Sequence, residues 1–253
     1  MTEWLTQSPY GVRFEWGLAG ATALAPSSSC MVIVDVLSFT TAVTVAVEAG
    51  MKVFPYPWRD ETAAEFARQN QAELAVGRRA ASSGSPWSLS PAALRRAPFT
   101  PRLVLPSPNG SAISAAAASG QATVIAACLR NALAAGGWLA QRSLGTPGQP
   151  VTVIAAGERW PDGSLRPALE DLLGAGAVIA AMHDQGCGPL SPEAEAARAC
   201  HETTADPARA VTDSASGREL AEGGFADDVA IATEIDSCRV TPVLAGQAFT
   251  AAR

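Results

Sequence analysis

Several stretches of this chain set chemically capable residues just beyond apolar runs. Asp35-Val36-Leu37-Ser38-Phe39-Thr40-Thr41 follows the run Met31–Val34. An aspartate at the end of such a run is costly to bury without a partner. Either a metal ion or a set of backbone amides would supply one, and Ser38 or Thr40 would equally serve as a plain helix cap. The run Leu103–Leu105 is followed by Pro106-Ser107-Pro108-Asn109-Gly110-Ser111. There Gly110 permits a tight turn and Ser111 could cap a helix while leaving amides for an oxyanion; taken alone, the stretch reads first as an ordinary strand-to-helix turn. Asn131 stands between an apolar run and an Ala-rich stretch, where a cap is the simplest role. Acid gathers further on, in Gly157-Glu158 and in Leu169-Glu170-Asp171. Adjacent helical residues diverge by about 100°, so Glu170 and Asp171 cannot both face one ion. One of them with Glu158 would give a hard-oxygen Mg²⁺ site; acids in a first helical turn also satisfy the dipole with no ligand at all. Asp227-Asp228 carries the same ambiguity and reads as structural.

Positioning these residues requires a scaffold of alternating elements. Strand-length apolar runs recur at Met31–Val36, Val53–Tyr56, Leu74–Val76, Leu103–Leu105, Thr123–Cys128, Val151–Ala156 and Val240–Leu244. Helix-like stretches lie between them at Thr40–Ala49, Glu61–Gln71, Ser111–Ala118, Ala132–Arg142, Ala168–Met182 and Pro192–His201. Strands that are apolar throughout, alternating with helices, predict a three-layer α/β/α sandwich on a largely parallel or mixed sheet buried on both faces. The expected organisation is a single domain over residues 1–253. A Gly/Pro connector near 145–150 could divide it into two lobes, and a Ser/Pro/Arg-rich segment, 78–101, reads as a flap. Two short helices are expected around Gly223-Gly224. Ligands of such folds bind beyond the carboxyl ends of strands, where these residues stand.

Composition narrows the chemistry. With 253 residues, 48% of them hydrophobic and 17% charged, the chain can bury a core without disulfide or metal staples. A net charge of −6 argues against a nucleic-acid or polybasic membrane surface. No run is apolar enough to span a bilayer and the opening residues do not read as a secretory leader, so a cytoplasmic protein is expected. Lys52 is the only lysine, which excludes the phosphate loop and the S-x-x-K motif. Two histidines, His183 and His201, are too few for a histidine metal cage, and the five cysteines form no C-x-x-C pair. Gly174-Ala175-Gly176 lacks a dinucleotide fingerprint and reads as close helix packing.

Taken in order, these stretches resemble the 2-phosphosulfolactate phosphatase family. The resemblance rests on Asp35-Val36 with Thr40-Thr41, Asn109-Gly110-Ser111, Asn131-Ala132, Ala156-Gly157, Leu169-Glu170-Asp171 with the small-residue run to Gly176, Gly217-Arg218-Glu219-Leu220 and Asp227-Asp228. It spans about residues 30 to 245. It implies a Mg²⁺-dependent acid phosphatase on an α/β/α fold, hydrolysing 2-phosphosulfolactate to sulfolactate in coenzyme M biosynthesis. The chain departs from the family pattern in three places. Ser38 stands where an arginine is usual, Gly77-Arg78 replaces Gly-Glu, and Leu89-Ser90-Pro91 replaces Asn-Ser-Pro. Arginine is the preferred bidentate partner of phosphate or sulfonate, so a replacement is expected from Arg78, Arg79, Arg159 or Arg166.

The expected function is therefore Mg²⁺-dependent hydrolysis of a small acidic phosphomonoester, 2-phosphosulfolactate or a relative. Asp35, Glu158, Glu170 and Asp171 are the expected catalytic acids, with Asp35, Glu170 and Asp171 as metal ligands. Ser38, Thr40, Thr41, Asn109, Gly110, Ser111 and Asn131 are expected to bind substrate. A homo-oligomer is the expected assembly. The alternative is a non-catalytic small-anion-binding protein that kept the scaffold.

Overall fold

The computed structural model describes residues 4–57, 61–118 and 120–252; the opening residues 1–3, part of the stretch read above for a leader, lie outside them. The described chain begins with β1 (Val12–Trp16) and α1 (Gly17–Leu24), then β2 (Cys30–Val34), α2 (Phe39–Glu48), β3 (Lys52–Tyr56), α3 (Glu61–Gln69), β4 (Glu73–Leu74) and α4 (Pro91–Arg96). It continues with β5 (Arg102–Pro106), α5 (Gly110–Ala118), β6 (Thr123–Ala127), α6 (Ala132–Gln141) and β7 (Val151–Ala155). A two-stranded hairpin, β8 (Glu158–Arg159) and β9 (Leu165–Arg166), precedes the long α7 (Leu169–Asp184). Four helices follow, α8 (Pro192–Thr203), α9 (Pro207–Asp213), α10 (Ala215–Glu222) and α11 (Ala226–Ala232), and then the hairpin β10 (Pro242–Ala245) and β11 (Ala248–Ala251).

Nine strands form one sheet in the order β1-β7-β2-β6-β10-β11-β3-β5-β4. β1, β7, β2 and β6 pair in parallel, as do β3, β5 and β4, while the closing hairpin is inserted between the two blocks and runs antiparallel to both neighbours. The sheet is thus mixed, and three layers result.

Period-two alternation decides which side chain enters which half of the core. Cys30, Val32 and Val34 of β2 pack with α6, α7 and α8 on one face. Met31 and Ile33 pack with α1, α2 and α5 on the other. All five residues of β2 are buried, as a strand covered on both faces demands. Gly174 and Gly176 are packing glycines: a Cβ on Gly174 would lie 2.7 Å from Val36, and one on Gly176 would lie 2.2 Å from the Ala197 carbonyl.

Two expected irregular segments have definite places. The 145–150 connector is a tight turn, bridged between Thr146 and Gln149, that leads directly into β7 of the same sheet. In the 78–101 segment residues 81–84 are exposed, whereas Ser88, Leu89, Ser90, Ala92 and Leu94 are buried. Ser90 caps α4 by accepting from the Ala93 N–H, and α4 packs on α2 and α11. No helix among the described residues is long and apolar enough to cross a membrane.

Candidate active site

Four carboxylates from three places in the sequence meet at the ends of the neighbouring parallel strands β2 and β7. Asp35 follows β2, Glu158 follows β7, and Glu170 and Asp171 open α7. Asp35, Glu170 and Asp171 are almost fully buried. Asp35 is held by two helix starts at once: Oδ1 accepts from Phe39 N–H at 3.1 Å and Oδ2 from Gly110 N–H at 3.0 Å. Gly110 must approach this closely, because a Cβ there would fall 2.2 Å from the Phe39 ring and 2.7 Å from Asp35 Oδ2. Thr40 closes the same turn, its hydroxyl accepting from Asp35 N–H and donating to the Asp35 carbonyl.

Asp171 and Glu170 are adjacent but differ in their surroundings. Asp171 Oδ1 accepts from Val36 N–H at 2.7 Å and Oδ2 from Gly157 N–H at 2.8 Å, so it clamps the turns after β2 and β7. Gly157 has φ +66°, a conformation that favours glycine and aims its N–H at this carboxylate. Glu170 is only 2% exposed, yet its oxygens are not among the fully buried polar atoms without a partner, so the carboxylate keeps a sliver of contact with solvent. Glu158 is half-buried and accepts from Asn109 Nδ2 at 3.2 Å, while Asn109 Oδ1 accepts from Arg159 Nε at 3.2 Å.

Crowding of acids out of water raises their proton affinity. Burial pushes Asp35 up to about 6, against the pull of the Phe39 and Gly110 amides and of Arg78. Burial also lifts Glu158 to about 7, reinforced by the charges of Asp35 and Glu170. Asp171 is raised well above its ordinary range by burial and then by Asp35 and Glu170, even though the Val36 amide favours its ionised form.

Of the four arginines named above, Arg78 is the one that stands against Ser38. Arg78 Nη2 donates to Ser38 Oγ at 2.6 Å, and Arg78 Nε donates to Asp228 Oδ2 at 3.1 Å. Its guanidinium lies 5.9 Å from the centre of the Phe225 ring. Asp228 is buried and also accepts from Ser90 Oγ and Ala92 N–H, so it fixes Arg78 and the start of α4 together. Of the other candidates, Arg79 is exposed, Arg159 lies at the rim, and Arg166 bonds Ser216 Oγ. Asp227 is exposed and pairs with Arg96.

Not every expected site residue joins the cluster. Asn131 is fully buried and its amide is spent on the fold: Oδ1 accepts from Cys128 N–H, and Nδ2 donates to the Ala126 and Val240 carbonyls. The Ser111 hydroxyl donates to the Leu105 carbonyl and the Thr41 hydroxyl to the Val36 carbonyl. These hydroxyls tie helices to the strands before them, which is the plainer of the roles their sequence positions allowed.

The donor set suits a hard cation. Four clustered carboxylates would repel a phosphate unless protonated or neutralised. Among the described residues no three His, Cys, Asp or Glu side chains form a ready-made cage. Mg²⁺ does not need one, since it keeps several waters and takes one or two carboxylates plus substrate phosphate. Glu170 with Asp35 fits that pattern.

These acids stand beyond the strand ends of a three-layer α/β/α fold, where folds of this kind bind their ligands. The chain belongs to the 2-phosphosulpholactate phosphatase family, whose model matches residues 21–247. It is a phosphatase, a phosphoric monoester hydrolase, and a small phosphorylated compound is its substrate.

Proposed function

We propose that this chain is a Mg²⁺-dependent phosphatase acting on a phosphorylated small organic acid, 2-phosphosulfolactate or a relative. One observation carries the reading: Glu170, only 2% exposed, lies close enough to Asp35, Glu158 and Asp171 for its charge to raise the proton affinity of all three, and Asp35 is itself held by two helix starts. Glu170 and Asp35 would hold the ion, which when bound supplies charge neutralisation on the phosphoryl oxygens and a more acidic water. The first turn of α5 beyond Gly110 offers N–H groups that have no partner within the helix, and these receive phosphoryl oxygens. Arg78, fixed by Asp228, adds a permanent positive charge beside Ser38. Glu158, lifted to about 7, holds a proton near neutrality. As water attacks phosphorus and the ester P–O bond breaks, Glu158 gives that proton to the leaving oxygen. Asp171 acts by position, locking the turns that carry Val36 and Gly157.

The test is phosphate release from 2-phosphosulfolactate and a panel of small phosphomonoesters, with Mg²⁺ and with EDTA. Chelator-sensitive turnover that falls by roughly 10²–10³-fold in Glu170→Gln is expected, as for loss of a transition-state charge partner. Full turnover in EDTA, or in an Asp35→Ala, Glu170→Ala double variant, would overturn the proposal.

A further inference from the structure

A cavity of about 660 Å³ opens beside the carboxylates, between α1 and α5. Its polar end is formed by Asn109, Glu158 and Arg159, and the rest is walled by Trp16, Leu18, Pro26, Ile113 and Leu165. Leu18 and Leu165 are each 42% exposed, large apolar side chains turned to water around a concave surface. Concave, mainly apolar space of this size with a few convergent polar groups is what a small-molecule site looks like. A three-carbon polyanion has neither the volume nor the apolar surface to use it. Glu158 belongs both to this cavity and to the acid cluster, so the cavity begins where the leaving oxygen of the ester must sit. Arg159, tethered to Asn109 Oδ1 and to the Gly163 carbonyl, stands at the mouth as a counter-charge for a carboxylate.

We propose that the cavity receives the organic part of the ester, and that the alcohol released is a hydroxy acid bearing an apolar substituent, aromatic or branched. The inference rests on the phosphatase reading above and deepens it by naming the substrate class. Phosphate would lie at Asp35 and the start of α5, the acid group at Arg159, and the substituent against Leu18 and Leu165.

The experiment compares kcat/KM of the full chain with Mg²⁺ on three 2-phospho acids carrying a methyl, a sulfomethyl or a benzyl group. Calorimetric binding of 3-phenyllactate, the alcohol without phosphate, is measured in parallel. A preference for the benzyl ester over the methyl ester of roughly 10–100-fold is expected, the range that apolar pockets deliver. In Leu165→Glu and in Leu18→Glu, both altered at exposed positions, that ratio should collapse towards one and phenyllactate binding should be lost. Equal rates on all three esters, or a sulfomethyl preference indifferent to both leucine variants, would overturn the proposal. Leucine variants that turn a dimer into a monomer without changing the ratio would overturn it in favour of a second copy of the chain. If no ester is hydrolysed but phenyllactate binds and Leu165→Glu abolishes binding, the cavity assignment stands and the hydrolase reading fails. Neither turnover nor binding overturns both.

Discussion

Two neighbouring carboxyl groups at the start of α7 have opposite consequences when replaced by amides. Asp171 accepts one N–H on each oxygen, from Val36 and from Gly157. In Asp171→Asn the amide group would face one of those donors and leave it without an acceptor. The expected loss is about 2–3 kcal/mol of stability, with activity falling because two turns of the site lose their clamp. Glu170 clamps no backbone N–H, so Glu170→Gln strands no donor and should leave the melting temperature unchanged or higher while turnover falls. Paired thermal melts and phosphate-release assays check this, and equal destabilisation in the two variants would show that Glu170 is structural as well. Glu158 can be tested by the leaving group. Glu158→Ala should slow alkyl phosphates by roughly 10²–10³-fold, the worth of a general acid, and slow p-nitrophenyl phosphate far less, because nitrophenolate leaves without a proton. A uniform loss across both esters would assign Glu158 to positioning instead.

At the scale of elements, the site depends on helix starts pressed together and on one buried aspartate tying distant segments. Gly110→Ala would drive a methyl into the Phe39 ring and Asp35 Oδ2, parting α5 from α2. We expect about 1–3 kcal/mol of destabilisation, typical of overpacking, and loss of turnover. Asp228→Ala would strip Arg78, Ser90 and Ala92 of a shared acceptor. Stability should fall by about 2–4 kcal/mol, since this breaks a buried ion pair whose arginine remains partly hydrated. KM should rise more than kcat falls if Arg78 binds the anion; unchanged KM would detach Arg78 from substrate. Much of this scaffold is legible in the sequence. The run Cys-Met-Val-Ile-Val of β2 and the Ala/Gly pattern of α7 announce a doubly covered strand and a closely packed helix. β1 is harder to read, because Val-Arg-Phe-Glu-Trp mixes charges into a strand; Arg13 is buried there, and carbonyls of Ser8, Tyr10 and Ser27 satisfy it. With β1 and α1 unread, the cavity walls at Trp16 and Leu18 carry no signal either. The same limit applies to the site: spacing shows that Glu170 and Asp171 point apart, but only the amides of Val36 and Gly157 decide which is clamped. The Arg78–Ser38 contact joins residues 40 positions apart, with no periodicity to announce it.

For the whole molecule, Asp35, Glu158 and Asp171 make stability depend on pH in a direction opposite to that of an acid stabilised by salt bridges. In the metal-free chain Asp35 titrates near 6 and Glu158 near 7, both raised first by burial, whereas the unfolded chain releases these protons near 4. Between about pH 4 and 7 the native state therefore holds more protons than the unfolded state, and stability falls as pH rises through that window. Asp35 alone contributes a loss of about 2–3 kcal/mol between those limits. Asp171, raised in the same direction, extends the decline upward. A divalent cation held by the cluster would bind its ionised form and so counteract the loss most where ionisation is most complete. Saturating Mg²⁺, at about 100 times its dissociation constant, would restore about 2.7 kcal/mol, and the gain should be larger at pH 8 than at pH 5. For a chain of this length each kcal/mol moves the melting temperature by about 2–4 °C, so both effects are measurable. Melts from pH 4.5 to 8.5, in EDTA and in Mg²⁺, should give a falling curve in EDTA that the ion flattens. A melting temperature that climbs with pH in EDTA would mean the carboxylates are compensated within the protein, and the case for a cation at Glu170 would then lose its physical ground.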